Sequence, residues 1–137
     1  FNAIDPGYFN RLLLTQNFSA VTGACLVVQK TIYDREGGLD ENLAIAYNDV
    51  DFCLKVRRSG YRNLWTPYAR LFHHESISRG SDLTDEKRLR AKKETEYMRD
   101  VWGASLDTDP AYNPNLTIIH EDFSLKSMNG GEDDQNR

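Results

Sequence analysis

The sequence predicts an α/β fold built on a small mixed sheet, with flanking helices and one long helix toward the C-terminus. Three observations predict it. Apolar, β-leaning runs alternate with segments of helical periodicity; only three or four strands are visible; and no internal repeat or long linker divides the chain. A length of 137 residues fits one domain that buries about two-thirds of the surface its unfolded form exposes. The domain is expected over residues 1–128, with a Gly-rich acidic tail over 129–137 expected to be disordered.

Asp5-Pro6 opens a first short helix, since the carboxylate can cap it and the ring presets the first helical φ; Tyr8, Phe9, Leu12 and Leu13 follow at helical spacing. After turn-like residues 16–19, the run Ala24 to Val28 is continuously apolar, as in a strand covered on both faces. Thr31 then caps a short helix with Asp34 three residues on, and Gly37-Gly38 stops it. Residues 39–47 form a loop. Asn48 or Asp49 begins the next helix, with Val50, Cys53, Leu54 and Val56 inward, three basic residues toward its end and Gly60 as the stop. Arg62 to Thr66 and Ala69 to His73 read as two short strands separated by Pro67. Thr84-Asp85-Glu86 opens a long charged helix reaching about Trp102, with Leu89, Met98 and Trp102 on its buried face. Asp109-Pro110 and Asn113-Pro114 make Tyr112 to Phe123 a wrapping segment rather than a helix.

Charge and cysteine content exclude several functions. Seventeen basic against 21 acidic residues leave a net charge of -4, and no basic stripe appears, so no nucleic-acid partner is expected. No apolar stretch is long enough to cross a bilayer, and the opening residues do not read as a secretory signal. Cys25 and Cys53 lack the spacing of a zinc site or a disulfide scaffold and read as buried thiols. That points to a reducing, cytoplasmic setting. The start at Phe1, directly before an Asp-Pro turn, suggests a segment of a longer polypeptide; an engineered boundary would look the same.

Three clusters carry candidate chemistry. Thr22-Gly23-Ala24 is either a tight turn or a place where a substrate packs against bare backbone. In Tyr47-Asn48-Asp49-Val50-Asp51, two carboxylates flank one valine at a loop-to-helix junction. They can cap the helix, or one can face a cleft as a base, because the first turn of a helix holds an oxygen more rigidly than a loop does. The run from His73-His74 through Ser78, Arg79 and Gly80 directly follows a strand. Adjacent strand residues face opposite ways, so His73 and His74 do not easily share one metal, while Arg79 beside serines suits an anion such as a diphosphate.

The order of these clusters resembles the second half of bacterial family 2 glycosyltransferases. The resemblance runs through Thr22-Gly23-Ala24, Gly37-Gly38-Leu39-Asp40-Glu41, Asn48-Asp49-Val50-Asp51-Phe52-Cys53-Leu54-Lys55, Gly60-Tyr61 and the His73 to Gly80 run. It covers roughly residues 18–80. The segment from Trp102 to Phe123 is similar to the tail of transferases that build O-antigen and other surface polysaccharides, rhamnosyltransferase-like members among them.

The resemblance implies part of a GT-A architecture, in which an N-terminal half, missing here, holds a nucleoside diphosphate sugar and a divalent metal, Mn²⁺ or Mg²⁺. The second half completes the site and receives a saccharide or lipid-linked acceptor. Asp49 takes the place of the family's catalytic base, with Asp51 as the alternative and Asn48 where an acidic residue is common. His73 with Ser78 matches the family's metal or diphosphate ligand, and His74 remains open. Thr22, Gly23, Ala24, Asn48, Ser78 and Arg79 are then substrate-binding. The implied reaction is an inverting sugar transfer for which the isolated piece is inactive. Self-association through an exposed sheet edge is a further expectation. The competing reading is a non-catalytic binding or assembly module whose Asp and His residues are structural.

Overall fold

The computed structural model of the chain describes residues 5–73, 84–120 and 122–126. Helix α1 spans Lys30–Arg35, α2 Asn48–Arg58 and α3 Asp85–Trp102; strands β1 (Gln16–Phe18) and β2 (Asn63–Trp65) form an antiparallel pair. The fold is therefore mixed α/β with a two-stranded sheet.

Helix α2 begins where the sequence places it. Asp49 and Asp51 lie in its first turn, where negative charge complements the helix dipole, and Lys55, Arg57 and Arg58 lie in its last. It ends at Gly60, whose φ of 84° lets the Gly60 N–H reach the Arg57 carbonyl and the Tyr61 N–H reach that of Val56. Helix α3 starts at Thr84, whose hydroxyl accepts from the Lys87 N–H at 3.4 Å. Its buried stripe is Glu94, Met98 and Trp102, spaced four apart. Leu89, expected on that stripe, is 55% exposed. It stands about two and a half turns from Met98 and so projects from the opposite side.

The core joins these two helices to the loop between α1 and α2. Leu43, Leu54, Met98 and Trp102 pack together, with Val50 and Tyr97 against them. Each such side chain contributes about 1.5–3 kcal/mol on burial. At its centre lies a carboxylate. Asp51 is 0% exposed, its Oδ1 accepts from the Trp102 indole at 2.9 Å, and its Oδ2 pairs with the Lys55 ammonium at 2.6 Å. No other donor within the described residues reaches Oδ2. Lys55 also stands 4.0 Å from Asp40. Asp40 accepts from the Asn42 backbone and side chain, each at 2.9 Å, and from the Tyr97 hydroxyl at 2.7 Å.

The sheet is smaller than expected. Phe18 and Trp65 share its inner face, packed edge to face, and the Arg11 guanidinium stacks on Phe18. Asn63 donates to the carbonyls of Ser19 and Cys53, locking β1 and β2 onto α2. Residues 16–19, read as a turn, thus supply β1, whereas Ala24 to Val28 does not form a strand. Gly23–Cys25 is a 3₁₀ turn and Val27 is 93% exposed, because no described strand lies beside this run to pair with it. Cys25 is exposed for the same reason; Cys53 is buried, as expected, and burial pushes its thiol pKa up.

Other expectations need correction. Ala69 to His73 is not a strand, and Leu71 and Phe72 are exposed. Asp5 does turn the chain by accepting from the Gly7 N–H, but Tyr8–Leu13 is a 3₁₀ segment interrupted at Phe9 and Asn10, both at positive φ. Thr31 lies inside α1, which is preceded by Gln29. Gly38 takes the expected left-handed turn, where a Cβ would sit 2.9 Å from the Tyr33 ring. Tyr112 to Phe123 wraps without a helix, tied by the Tyr112 hydroxyl to the Thr117 carbonyl and by a Leu116–Leu125 bridge. Residues 129–137 lie outside those described.

The Asp40–Tyr97 contact fixes a pH dependence. The Asn42 amide and the Tyr97 hydroxyl hold the Asp40 carboxyl below its usual range, so its stabilisation is present above about pH 4 and lost as pH falls through the depressed value. The same bond to Asp40, with burial, raises Tyr97, so its contribution is present below about pH 10 and lost as pH rises through the raised value. Thermal melting against pH should show both limbs, and Asp40→Asn should flatten both. Lowered Glu36 and Asp122 leave part of the acid limb. A profile unchanged by Asp40→Asn would contradict this linkage.

Candidate functional site

The first turn of α2 is held from three sides. Glu94 of α3, only 3% exposed, accepts from the N–H groups of Ile45 at 3.2 Å and Ala46 at 2.8 Å, pinning the loop that enters the helix. Tyr47 follows in the left-handed region, at φ 63°, with its hydroxyl 3.2 Å from Thr95 Oγ1. Below them Asp51 is tied into the core. A buried carboxylate bonded to two backbone N–H groups is an expensive arrangement to break, so this entry is rigid.

Residues 19–23 are brought to that turn by a second set of contacts. The Val21 N–H and carbonyl both meet Cys53 Sγ, at 3.5 and 3.7 Å. The Ser19 carbonyl is held by Asn63, and the Ser19 hydroxyl donates to Asp109. Thr22 Oγ1 accepts from the Ala24 N–H at 3.2 Å, tightening the turn. The outcome is a contact between residues 26 apart in sequence: the Gly23 N–H donates to Asp49 Oδ2 at 2.7 Å.

Asp49 is half-buried, and its Oδ1 accepts from the Val50 N–H at 2.9 Å. Each oxygen thus has one backbone donor and keeps lone-pair capacity for a further partner. Glycine fits closely opposite it. A Cβ on Gly23 would stand 3.2 Å from Asp49 Cβ and 3.4 Å from Oδ2. The site so formed is a carboxylate in a fixed orientation at a helix N-terminus, beside bare backbone, a geometry suited to accepting a proton from a hydroxyl group.

The structure brings Thr22, Gly23 and Ala24 to Asn48 and Asp49, joining two of the three predicted clusters. It does not bring Asp51 to them, since that side chain points into the core. His73 is exposed on the segment after β2. His74, Ser78 and Arg79 lie outside the described residues. Among the described residues no three His, Cys, Asp or Glu side chains converge as a metal site. Glu94 and Tyr47 were missed by sequence reading; the signal for Glu94 was its position four residues before Met98, on the stripe that must be buried.

Comparison with known proteins places this site in context. No protein-family profile matches the chain, and no solved structure does. The chain is 55% identical over 122 residues, 88% of its length, to "Uncharacterized protein y4gI" of Sinorhizobium fredii. It is 33% identical over 112 residues, 82% of its length, to "O-antigen biosynthesis protein RfbC" of Myxococcus xanthus. A more distant similarity, 31% over 62 residues and 45% of the chain, is to the "N-acetylglucosaminyl-diphospho-decaprenol L-rhamnosyltransferase" of Mycobacterium tuberculosis. The chain spans 13%, 8% and 20% of the lengths of these three relatives.

The clamp under α2 can be tested directly. Trp102→Phe removes the indole donor and leaves Asp51 Oδ1 buried without it, which should lower stability by about 1–3 kcal/mol in chemical denaturation. A change under about 0.5 kcal/mol, the scale of an ordinary surface substitution, would show that the bond does not anchor the helix.

Proposed function

We propose that this chain, related to a region of an O-antigen biosynthesis protein and more distantly to L-rhamnosyltransferases, is the acceptor-side part of a glycosyltransferase. The parent protein transfers a hexosyl group from a nucleoside diphosphate sugar to a saccharide or lipid-linked saccharide, with inversion. The observation that carries this reading is the meeting of Gly23 with Asp49, two separated motifs whose juxtaposition places one accessible carboxylate beside open backbone.

Asp49 is the general base. The acceptor hydroxyl approaches the oxygen lone pairs not used by Gly23 and Val50, and gives its proton to the carboxylate as its oxygen attacks the anomeric carbon. Attack comes from the face opposite the departing nucleoside diphosphate, which inverts the configuration. Asn48 and the backbone of residues 22–24 position the acceptor. Asp51 holds α2 in register from inside the core, a positioning role rather than proton transfer. The nucleotide, and the residues that hold most of it, belong to the half of the same polypeptide outside this chain.

A divalent metal, Mn²⁺ or Mg²⁺, enters this proposal only for the parent protein. His73 alone of the predicted ligand pair lies within the described residues, and those residues do not by themselves make a metal site. A metal bound there would draw ligands from elsewhere in the protein. No helix among the described residues is long and apolar enough to cross a membrane.

In the parent protein, Asp49→Asn should lower transfer by about 10²–10⁴-fold, the usual contribution of a general base, with melting little changed. Gly23→Ala, which crowds the carboxylate without removing it, should lower turnover by less. Retention of most transfer activity by Asp49→Asn would overturn the assignment.

A further inference from the structure

A cleft of about 800 Å³ opens between the last turns of α2 and the segment that follows α3. It is not the Asp49 site. Leu54 and Arg58, which line it, stand about 140° and 180° around the helix from Asp49, and Asp49 and Gly23 take no part in its walls. Its volume falls in the range of small-molecule sites, about 300–1,000 Å³.

The lining is divided by chemistry. Three cations, Arg57, Arg58 and Lys126, converge on it, although the chain as a whole is acidic at -4. Within the described residues none of the three has a carboxylate partner in ion-pair range. Arg58 is kept over the cleft by stacking on the Trp102 ring, 4.9 Å from its centroid. Pro110, Tyr112 and Pro114 add an apolar wall. That wall is braced, because Asp109 accepts from the Ser19 hydroxyl and from the Ala111 N–H at 2.8 Å, and the Tyr112 hydroxyl is held by the Thr117 carbonyl at 2.7 Å. Asp107, exposed on the rim, is a free acceptor for hydroxyl groups.

We propose that this cleft binds a phosphorylated saccharide. Guanidinium and ammonium groups with no carboxylate in ion-pair range among the described residues match a phosphate, which arginine holds through paired N–H donors. The ring of a sugar presents an apolar face to the tyrosine and proline wall and hydroxyls to Asp107. A bare anion would use only the first set of groups and a plain sugar only the second. Binding here does not depend on Asp49 acting as a base.

Calorimetric titration of the full chain with a hexose 1-phosphate, with inorganic phosphate and with the free hexose tests this. The hexose 1-phosphate should saturate a single site at least tenfold more tightly than either other probe. Arg57→Gln with Lys126→Gln should weaken it at least tenfold with little change in the melting temperature, since neither side chain has an ion-pair partner among the described residues. Asp49→Asn should leave it unchanged, which separates failure of this site from failure of the transferase reading. A hexose phosphate esterified to a short prenol and a nucleoside diphosphate hexose complete the series; whichever binds more tightly than the hexose 1-phosphate supports the site and identifies its source. Absence of saturable binding, equal affinity for inorganic phosphate, or affinity that survives the double substitution would overturn the proposal.

Discussion

The described structure depends on one buried ion, the carboxylate of Asp51. Burying a charge is costly unless it is paired and hydrogen-bonded, and here one oxygen takes the Trp102 indole while the other takes the Lys55 ammonium. Because Trp102 ends α3 and Asp51 lies in the first turn of α2, the indole bond ties the two helices together, while the Lys55 ammonium, one turn along α2, balances the buried charge. Lys55 carries the constraint on to Asp40, and Asp40 carries it to Tyr97, so the loop between α1 and α2 is drawn over the same core. Replacement of such a cluster by apolar residues can match it in energy; what the ionic version supplies is a single permitted arrangement.

That arrangement sets the geometry of the candidate site. With Asp51 inside, its neighbour two positions earlier in the first turn is left facing outward, and Glu94 fixes the backbone immediately before it. Cys53 and Asn63 then bring residues 19–23 against the same helix, so that Gly23 meets Asp49 with no side chain between them. Two carboxylates separated by one valine thus play different parts: one is structural and sealed, the other half-buried and accessible. The division follows from helical geometry, since two residues apart is about 200° of rotation.

What was legible in the sequence was mainly local. The start and stop of α2, the Thr84 cap and the glycine turns at Gly38 and Gly60 are decided by neighbours within a few residues, and they emerge as read. Ala24 to Val28 was misread because a strand is a property of a pair: apolar content allows it, but only a neighbouring backbone can satisfy its N–H and C=O groups. Conversely, Gln16 to Phe18 looked polar and turn-like yet pairs with Asn63 to Trp65. Glu94 and Asp51 were illegible for another reason. A charged residue reads as solvated unless its burying partners are known, and the Ala46 N–H for Glu94 and the Trp102 indole for Asp51 lie 48 and 51 residues away. The Asp49–Gly23 contact was not legible in the sequence: the order of motifs assigned both to one site without pairing them.

The chain spans between 8% and 20% of the lengths of its relatives, and the proposed reading assigns the rest of the reaction to a larger protein. On this account the present residues orient the acceptor hydroxyl and the remainder of the polypeptide presents the donor. The most direct measurement is a crystal structure of the parent protein with an unreactive donor analogue and a saccharide acceptor bound. The account predicts the acceptor hydroxyl within about 2.6–3.2 Å of an Asp49 carboxylate oxygen, with the Gly23 N–H still bonded to that side chain. An acceptor hydroxyl lying against a different carboxylate, with Asp49 turned away from it, would contradict the account.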